Sequence, residues 1–296
     1  MTNRHRIIGL GEVLWDVFPA GPRFGGAPTN FICSVAGVGA NAVVASMVSA
    51  VGMDTLGETG LAEFRKRSVD TTHVARLDLV TGQVLVQLDA QGQASYQFPE
   101  KTAWDQIPWT PDLQSLADNA DAVCFGTLGQ RSTVSRATIQ RFIRSTPHTC
   151  LRILDINLRS PYWTSEVILE SLSLANVVKL NSDELPIVAS LLSLRGSDKA
   201  VLQQMLHDFS LQLVALTRGS MGSLLLSRTG ECSELPGRTI RVVDTVGAGD
   251  AFTAALTVGL LQGRALAEVH AWADEIAAFV CTQAGATPEF PDEFRC

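Results

Sequence analysis

Residues 244–252, DTVGAGDAF, place two glycines, an alanine and an aspartate directly ahead of a long apolar run. The small residues Gly247, Ala248 and Gly249 let successive backbone N–H groups converge where a helix starts. The helix dipole adds partial positive charge there, so the turn can hold an anion. Asp250 falls in the first turn beside that anion, where a carboxylate can take a hydroxyl proton as the oxygen attacks phosphorus. The same residues also describe a tight turn into a buried helix, with an acid that complements the dipole. On this segment alone the two descriptions are equally good.

Three further segments combine small and polar residues in the same way. FGGAPTN (24–30) is a double-glycine turn entering a helix; Gly25 and Gly26 permit close approach of a ligand, and Asn30 can both donate and accept. A plain helix start with Pro28 near its first position fits as well. Asp16, at the end of an earlier apolar stretch, is either a hydroxyl-binding carboxylate or a solvated strand end. KLNSDE (179–184) sets Asn181 and Glu184 three apart at a strand-to-helix junction, which suits outer-sphere contacts to hydrated Mg²⁺ and also suits a capping box. LTRGSMGSLLL (216–226) carries Thr217, Gly219 and Gly222 around a turn that could admit a nucleotide or simply join a hairpin. DINLR brings Asp155, Asn157 and Arg159 past another strand, and Arg159 can bind an anionic or hydroxyl-rich ligand.

The elements that must position these groups alternate. RIIGLGEVL, AVVASMVSAVG, DAVCFG, LRILDIN, ANVVKLN and LQLVALT read as apolar strands, separated by helical patterns. Continuous apolar strands belong to a parallel sheet covered on both faces, and ligands of such sheets sit outside the carboxyl ends of the strands. A strand is also expected to close at Asp244-Thr245. Residues 81–98, TGQVLVQLDAQGQASYQF, depart from the alternation and predict a hairpin turning at Asp89 to Gly92, either on the sheet edge or as a separate small sheet over the site.

With 296 residues, 46% of them hydrophobic, the chain can bury one large core. A net charge of −7 leaves no general basic surface, which argues against nucleic acid or an acidic membrane as partner and for a small molecule. The stretch from Phe24 to Met53 has no charged residue, but Pro28, Asn30, Asn41 and its glycines fit a buried helix and strand better than a membrane span. Glu12 and Asp16 likewise interrupt what would otherwise be a secretion-signal pattern at the N-terminus. Six cysteines are scattered without a CxxC pair, as expected for reduced, core-filling thiols in a cytoplasmic protein. No GxxxxGK[ST] occurs, and the GxG comes late rather than after the first strand, so P-loop and dinucleotide-binding readings are weak.

Taken together, FGGAPTN near the start and DTVGAGDAF near the end, with NSDE and TRGSMG between them in that order, resemble the ribokinase or PfkB family of carbohydrate kinases over nearly the whole chain. The resemblance implies a ribokinase-like three-layer α/β/α sandwich, with a mostly parallel central sheet and a small β lid from segments near 12–24 and 80–100 within one domain, 1–296. It implies ATP-dependent phosphorylation of a sugar, with Asp250 as base and the amides of Gly247, Ala248 and Gly249 as anion hole. Asp16, Gly25, Gly26 and Asn30 would hold sugar hydroxyls, joined by Asn157 and Arg159. Lys179, Asn181 and Glu184 would lie near Mg²⁺ and the phosphates. Thr217, Arg218, Gly219 and Gly222 would follow the nucleotide, with Asp274 beside the adenine where an amide such as Asn is expected. K⁺ would bind backbone carbonyls around Asp244, Val246, Val280, Gln283, Gly285 and Glu289. Pairing of lids implies a homodimer. GEVLWDVFP, FGGAPTN and DINLR with Trp163 look most like fructokinases. A 2-keto-3-deoxygluconate kinase, whose substrate carboxylate Arg159 could reach, is the first alternative, with ribokinase, a nucleoside kinase and a non-catalytic sugar sensor behind it.

Overall fold

The computed structural model describes residues 4–18, 21–88, 94–97 and 99–296. The chain opens with β1 (His5–Leu10), departs into β2 (Leu14–Phe18) and β3 (Gly21–Gly25), and returns through α1 (Ala27–Gly39) to β4 (Val43–Gly52). Helix α2 (Thr55–Lys66) and strand β5 (Val74–Leu77) precede a hairpin, β6 (Gly82–Leu88) and β7 (Ala94–Gln97). A regular alternation follows: α3 (Pro111–Asp118), β8 (Ala122–Gly126), α4 (Thr133–Ser145), β9 (Leu151–Asp155), α5 (Ser165–Leu174) and β10 (Val177–Asn181). Helices α6 (Glu184–Leu191) and α7 (Asp198–Asp208) lead to β11 (Leu213–Thr217), which turns back through β12 (Ser223–Ser227) and β13 (Cys232–Leu235). Two helices, α8 (Ala248–Leu261) and α9 (Leu266–Cys281), complete the order.

Nine strands form the central sheet in the order β13-β12-β11-β10-β9-β8-β1-β4-β5. Every pair from β11 to β5 is parallel, and only β12 and β13 run antiparallel. Successive side chains of a strand point to opposite faces, so Ile7 of β1 enters one core with Phe31, Met47 and Phe252, while Ile8 enters the other with Phe125, Phe142 and Val178. Helices α1, α2, α8 and α9 cover the first face, and α3 to α7 cover the second. This is a three-layer sandwich. The strand order reverses at β1, which has β4 on one side and β8 on the other, and a crevice opens where neighbouring connections leave to opposite faces.

The remaining strands form a second, four-stranded sheet in the order β3-β2-β6-β7. The expected hairpin is therefore part of a separate sheet and not an edge of the central one; its turn, Asp89 to Gly92, lies outside the described residues. What reads as one opening strand is broken at Gly11, whose φ of 146° turns the chain from β1 towards β2. At the other point of departure, Asp54 caps α2 by accepting from Gly57 N at 2.8 Å and also accepts from Thr81 N and Oγ1 at 2.8 and 2.6 Å. One carboxylate thus fixes a helix start and the root of β6.

Two expectations are corrected. No strand closes at Asp244-Thr245: residues 236–246 are irregular, and the amides of Val243 and Asp244 bond to the Cys281 carbonyl at the end of α9 in place of a sheet partner. Val242 and Val243 stand 56% and 59% exposed, so the segment ahead of Asp244 carries no core there. Among the cysteines, only Cys33, Cys124 and Cys150 are buried, Cys232 is exposed, and none is in a disulfide. No helix among the described residues is long and apolar enough to cross a membrane.

Replacing Asp54 by Ala removes the α2 cap and the anchor of Thr81 together. Loss of such a cap costs about 1–2 kcal/mol, so denaturant unfolding of D54A is expected to show a lowered midpoint. An unchanged midpoint would show that this carboxylate stabilises neither element.

Candidate active site

A cleft of about 1030 Å³ runs along the carboxyl ends of the central strands and under the second sheet. Asp250 stands on its floor, half-buried at the N-terminus of α8, and its Oδ2 accepts from Asn30 Nδ2 of α1 at 2.9 Å. That bond joins two motifs 220 residues apart in the chain. Gly247 precedes α8 with φ 81°, and a Cβ there would lie 2.4 Å from the Ala286 carbonyl oxygen, so the turn has room for glycine only. The segment from Gly247 to Asp250 lines the cleft. The turn does enter a buried helix, and its residues line the cleft, so the two descriptions of this motif do not exclude each other.

Lys179 and Asp155 lie beneath this turn. They are register partners on the adjacent parallel strands β10 and β9, and Lys179 Nζ bonds both Asp155 oxygens at 3.1 Å. Thr253 of α8 donates to the same carboxylate at 3.2 Å. A Cβ added at Gly249 would come within 2.9 Å of Lys179 Nζ, so the ammonium sits against the turn. Burial opposes its charge, but the carboxylates of Asp155, Glu184 and Asp250 overcome this and hold its pKa above the usual lysine value. Burial, reinforced by the Asp155 carboxylate, raises Asp250 to about 6 against the opposing pull of Lys179, Asn30 and Arg159. A carboxylate so placed can act as a base near neutral pH.

Asp16 of β2, Gly26, Asn30, Asn157 and Arg159 line one end of the cleft. Gly25 lies between two of them, since a Cβ there would be 3.1 Å from Asp16 Oδ2 and 3.9 Å from Asn30 Oδ1. Burial raises Asp16 to about 6, with Arg159 and Arg23 acting in the other direction. The exposed Arg159 contacts the Leu158 carbonyl and otherwise faces the cleft. Glu12, which the sequence reading did not select, is 2% exposed and also lines this end.

Asn181 and Glu184 adopt the capping arrangement. Asn181 Oδ1 accepts from the amides of Asp183 and Glu184, Glu184 Oε2 accepts from Asn181 N, and Glu184 Oε1 accepts from Leu158 N. Glu184 is buried behind the wall, while Asn181 and Lys179 reach the cleft. Thr217, Arg218, Gly219 and Gly222 form the β11–β12 hairpin turn on the same wall, where Gly222 has φ 91° and no space for a Cβ against the Leu235 carbonyl. At the far end, Asp274 of α9 pairs with Arg238, a residue unmarked in the sequence. His270 is fully buried between Ser223 and Ser233, at 2.8 Å from each hydroxyl, and burial lowers it to about 4.

Of the expected cation-binding positions, Asp244, Val246 and Gly285 meet at one junction: the Asp244 carboxylate accepts from Val246 N, Gly285 N and Arg23 Nη1 of β3. Val280 and Gln283 are joined to each other by a backbone hydrogen bond, and Glu289 is exposed. Among the described residues no group of three His, Cys, Asp or Glu is placed to hold a metal ion.

Comparisons with known proteins identify the family and the fold. Residues 12–293 match the model of the pfkB family of carbohydrate kinases. A putative sugar kinase of Pyrococcus horikoshii is 30% identical over 88% of this chain and 82% of its own. Its structure in complex with ATP superposes with a TM-score of 0.79 over 95% and 93% of the two chains. A fructokinase of Klebsiella pneumoniae is 28% identical over 97% and 96%. A Vibrio cholerae fructokinase structure with fructose, ADP and calcium, 22% identical, shares the fold with a TM-score of 0.80 over 97% and 96%. The chain belongs to the pfkB family of carbohydrate kinases, phosphotransferases with an alcohol group as acceptor.

Proposed function

We propose that the chain transfers the γ-phosphoryl group of ATP to a hydroxyl of fructose. The observation that carries this reading is the Asn30–Asp250 hydrogen bond, which sets a hydroxyl-binding amide and a base with raised pKa at one helix N-terminus. Asp250 takes the proton of the attacking hydroxyl. The amides of Gly247, Ala248 and Gly249, with the Lys179 ammonium below them, receive the charge of the migrating group. Asp16, Asn30 and the backbone of Gly25 and Gly26 orient the sugar, with Asn157 and Arg159 alongside. The hairpin at Thr217 to Gly222 and the Arg238–Asp274 pair border the nucleotide.

Mg²⁺ fits this site as an ion that travels with the phosphates. The wall offers Asn181 for water-mediated contact, among the described residues no cluster of three His, Cys, Asp or Glu is placed to hold an ion directly, and Mg²⁺ keeps much of its hydration. When bound, it supplies neutralisation of phosphate charge. K⁺ would depend on backbone carbonyls around Val246 and Gly285, because the Asp244 carboxylate already holds a guanidinium and two amides. A homodimer joined through the second sheet and a cytoplasmic setting belong to the same reading. The exposed Arg159 supports a second reading, phosphorylation of a sugar acid such as 2-keto-3-deoxygluconate.

A coupled assay of ADP release with fructose, 2-keto-3-deoxygluconate, ribose and adenosine separates these substrates, and sugar binding with no ADP release from any of them would favour a sensor. In Asp250→Asn, ATP and sugar binding are expected to persist while turnover falls about 10²- to 10⁴-fold, the usual contribution of a general base. Near-normal turnover would remove Asp250 from that role. Because Asp250 works ionised, kcat/KM is expected to drop as pH falls through its pKa of about 6; a profile flat to pH 5 would contradict the assignment. If the second sheet closes over the sugar, saturating sugar slows amide exchange in residues 82–88 and 94–97. Unchanged exchange there would count against a lid.

A further inference from the structure

Glu12 lies at the end of β1 where the chain turns towards the second sheet, and three observations tie it to the cleft. Its Oε1 accepts from Ala27 N, the first amide of α1, at 3.2 Å, and its carbonyl accepts from Thr29 Oγ1 at 3.1 Å. The carboxylate therefore holds the helix start that carries Asn30. Gly26 is packed against it, since a Cβ there would lie 2.7 Å from the Glu12 carbonyl oxygen and 3.3 Å from its Cγ. Its second oxygen, Oε2, is buried with no hydrogen-bond partner among the described residues, as is Asn30 Oδ1 in the same end of the cleft.

A buried acceptor left unpaired costs about 1–3 kcal/mol, more when charged. Both orphaned atoms are acceptors, so the group that satisfies them must bring hydrogens. A sugar hydroxyl does so, whereas a carboxylate or phosphate does not. Gly129 packs against Oε2 from the side away from the cleft: a Cβ there would be 3.3 Å from that oxygen, closer than an ordinary contact, while Glu12 itself lines the cleft. On the reading of the chain as a sugar kinase, we propose that Glu12 is a further substrate-binding residue, whose Oε2 accepts the hydrogen of a sugar hydroxyl while Oε1 keeps α1 in place. Burial raises the Glu12 carboxyl to about 7; Arg159, from the loop after β9, draws it down, and Asp250 of α8 pushes it up. A hydroxyl donor favours the ionised form, so sugar binding releases a proton from Glu12 near pH 7, where Asp16 and Asp250 are already mostly ionised.

Glu12→Gln keeps an oxygen for the Ala27 amide and replaces the unpaired acceptor. The sugar KM is expected to rise roughly tenfold or more, as for loss of a hydrogen bond to a charged group, with the ATP KM and the thermal midpoint unchanged. One monodeoxy sugar should show the same loss with the unaltered enzyme and no additional loss with E12Q. An unchanged sugar KM in E12Q, or losses that add for every deoxy sugar, would overturn the assignment. If E12Q does not fold, calorimetry of sugar binding to the unaltered enzyme at pH 7, in two buffers of different ionisation enthalpy, reads the proton release directly. Release abolished by one deoxy sugar supports the proposal, and no release with any sugar overturns it. The kinase reading fails separately, by absence of ADP release from the unaltered enzyme.

Discussion

A lysine ammonium buried under the first turn of a helix must be neutralised, and the way Lys179 meets that demand organises the site. Its partner, Asp155, is the neighbouring residue across two parallel strands, so the pair is set by sheet register. Thr253 then ties α8 to the same carboxylate, which places the glycine turn over the ammonium. Removing one member of such a pair strands a buried charge at a cost of about 3–5 kcal/mol. The arrangement thus fixes the position of α8 and makes its N-terminus more positive. Asp250 is raised chiefly by its burial, with the Asp155 carboxylate adding to this and the Lys179 ammonium opposing it.

The fold places the rest of the site by a division along the chain. Strand order reverses at β1, so the first thirty or so residues supply Glu12, Asp16, Gly26 and Asn30 to one end of the cleft. Strands β10, β11 and β12 and helix α9 supply the other end. Helix α8 starts between the two ends, and the Asn30–Asp250 bond connects it to the first of them.

Much of this was legible in the sequence because the groups concerned occupy strand ends, where small residues and helix-capping residues leave local patterns. The motifs at Gly25, Asn30, Asn181, Gly222 and Gly247 are of that kind. Lys179–Asp155 was half legible: each was noted, but their pairing depends on register, and the usable signal was two opposite charges entering apolar strands near their carboxyl ends. Glu12 left only a lone charge in an apolar run, which first reads as evidence against a secretion signal. Arg238 lies in an irregular segment whose placement comes from its contacts with α9, and no local period encodes that. The segment before Asp244 misled for the converse reason, since its amides bond to the end of α9 and not to a sheet strand.

The Arg23–Asp244 ion pair links the second sheet to the loop that leads into the glycine turn. An exposed pair of this type contributes at most about 1 kcal/mol, so it biases the sheet's position without locking it. Asp244 also holds the amides of Val246 and Gly285, so the residue that pairs with β3 also fixes the backbone that precedes Gly247. The second sheet, which borders one end of the cleft, and the backbone ahead of the glycine turn therefore share the Asp244 carboxylate as a common acceptor.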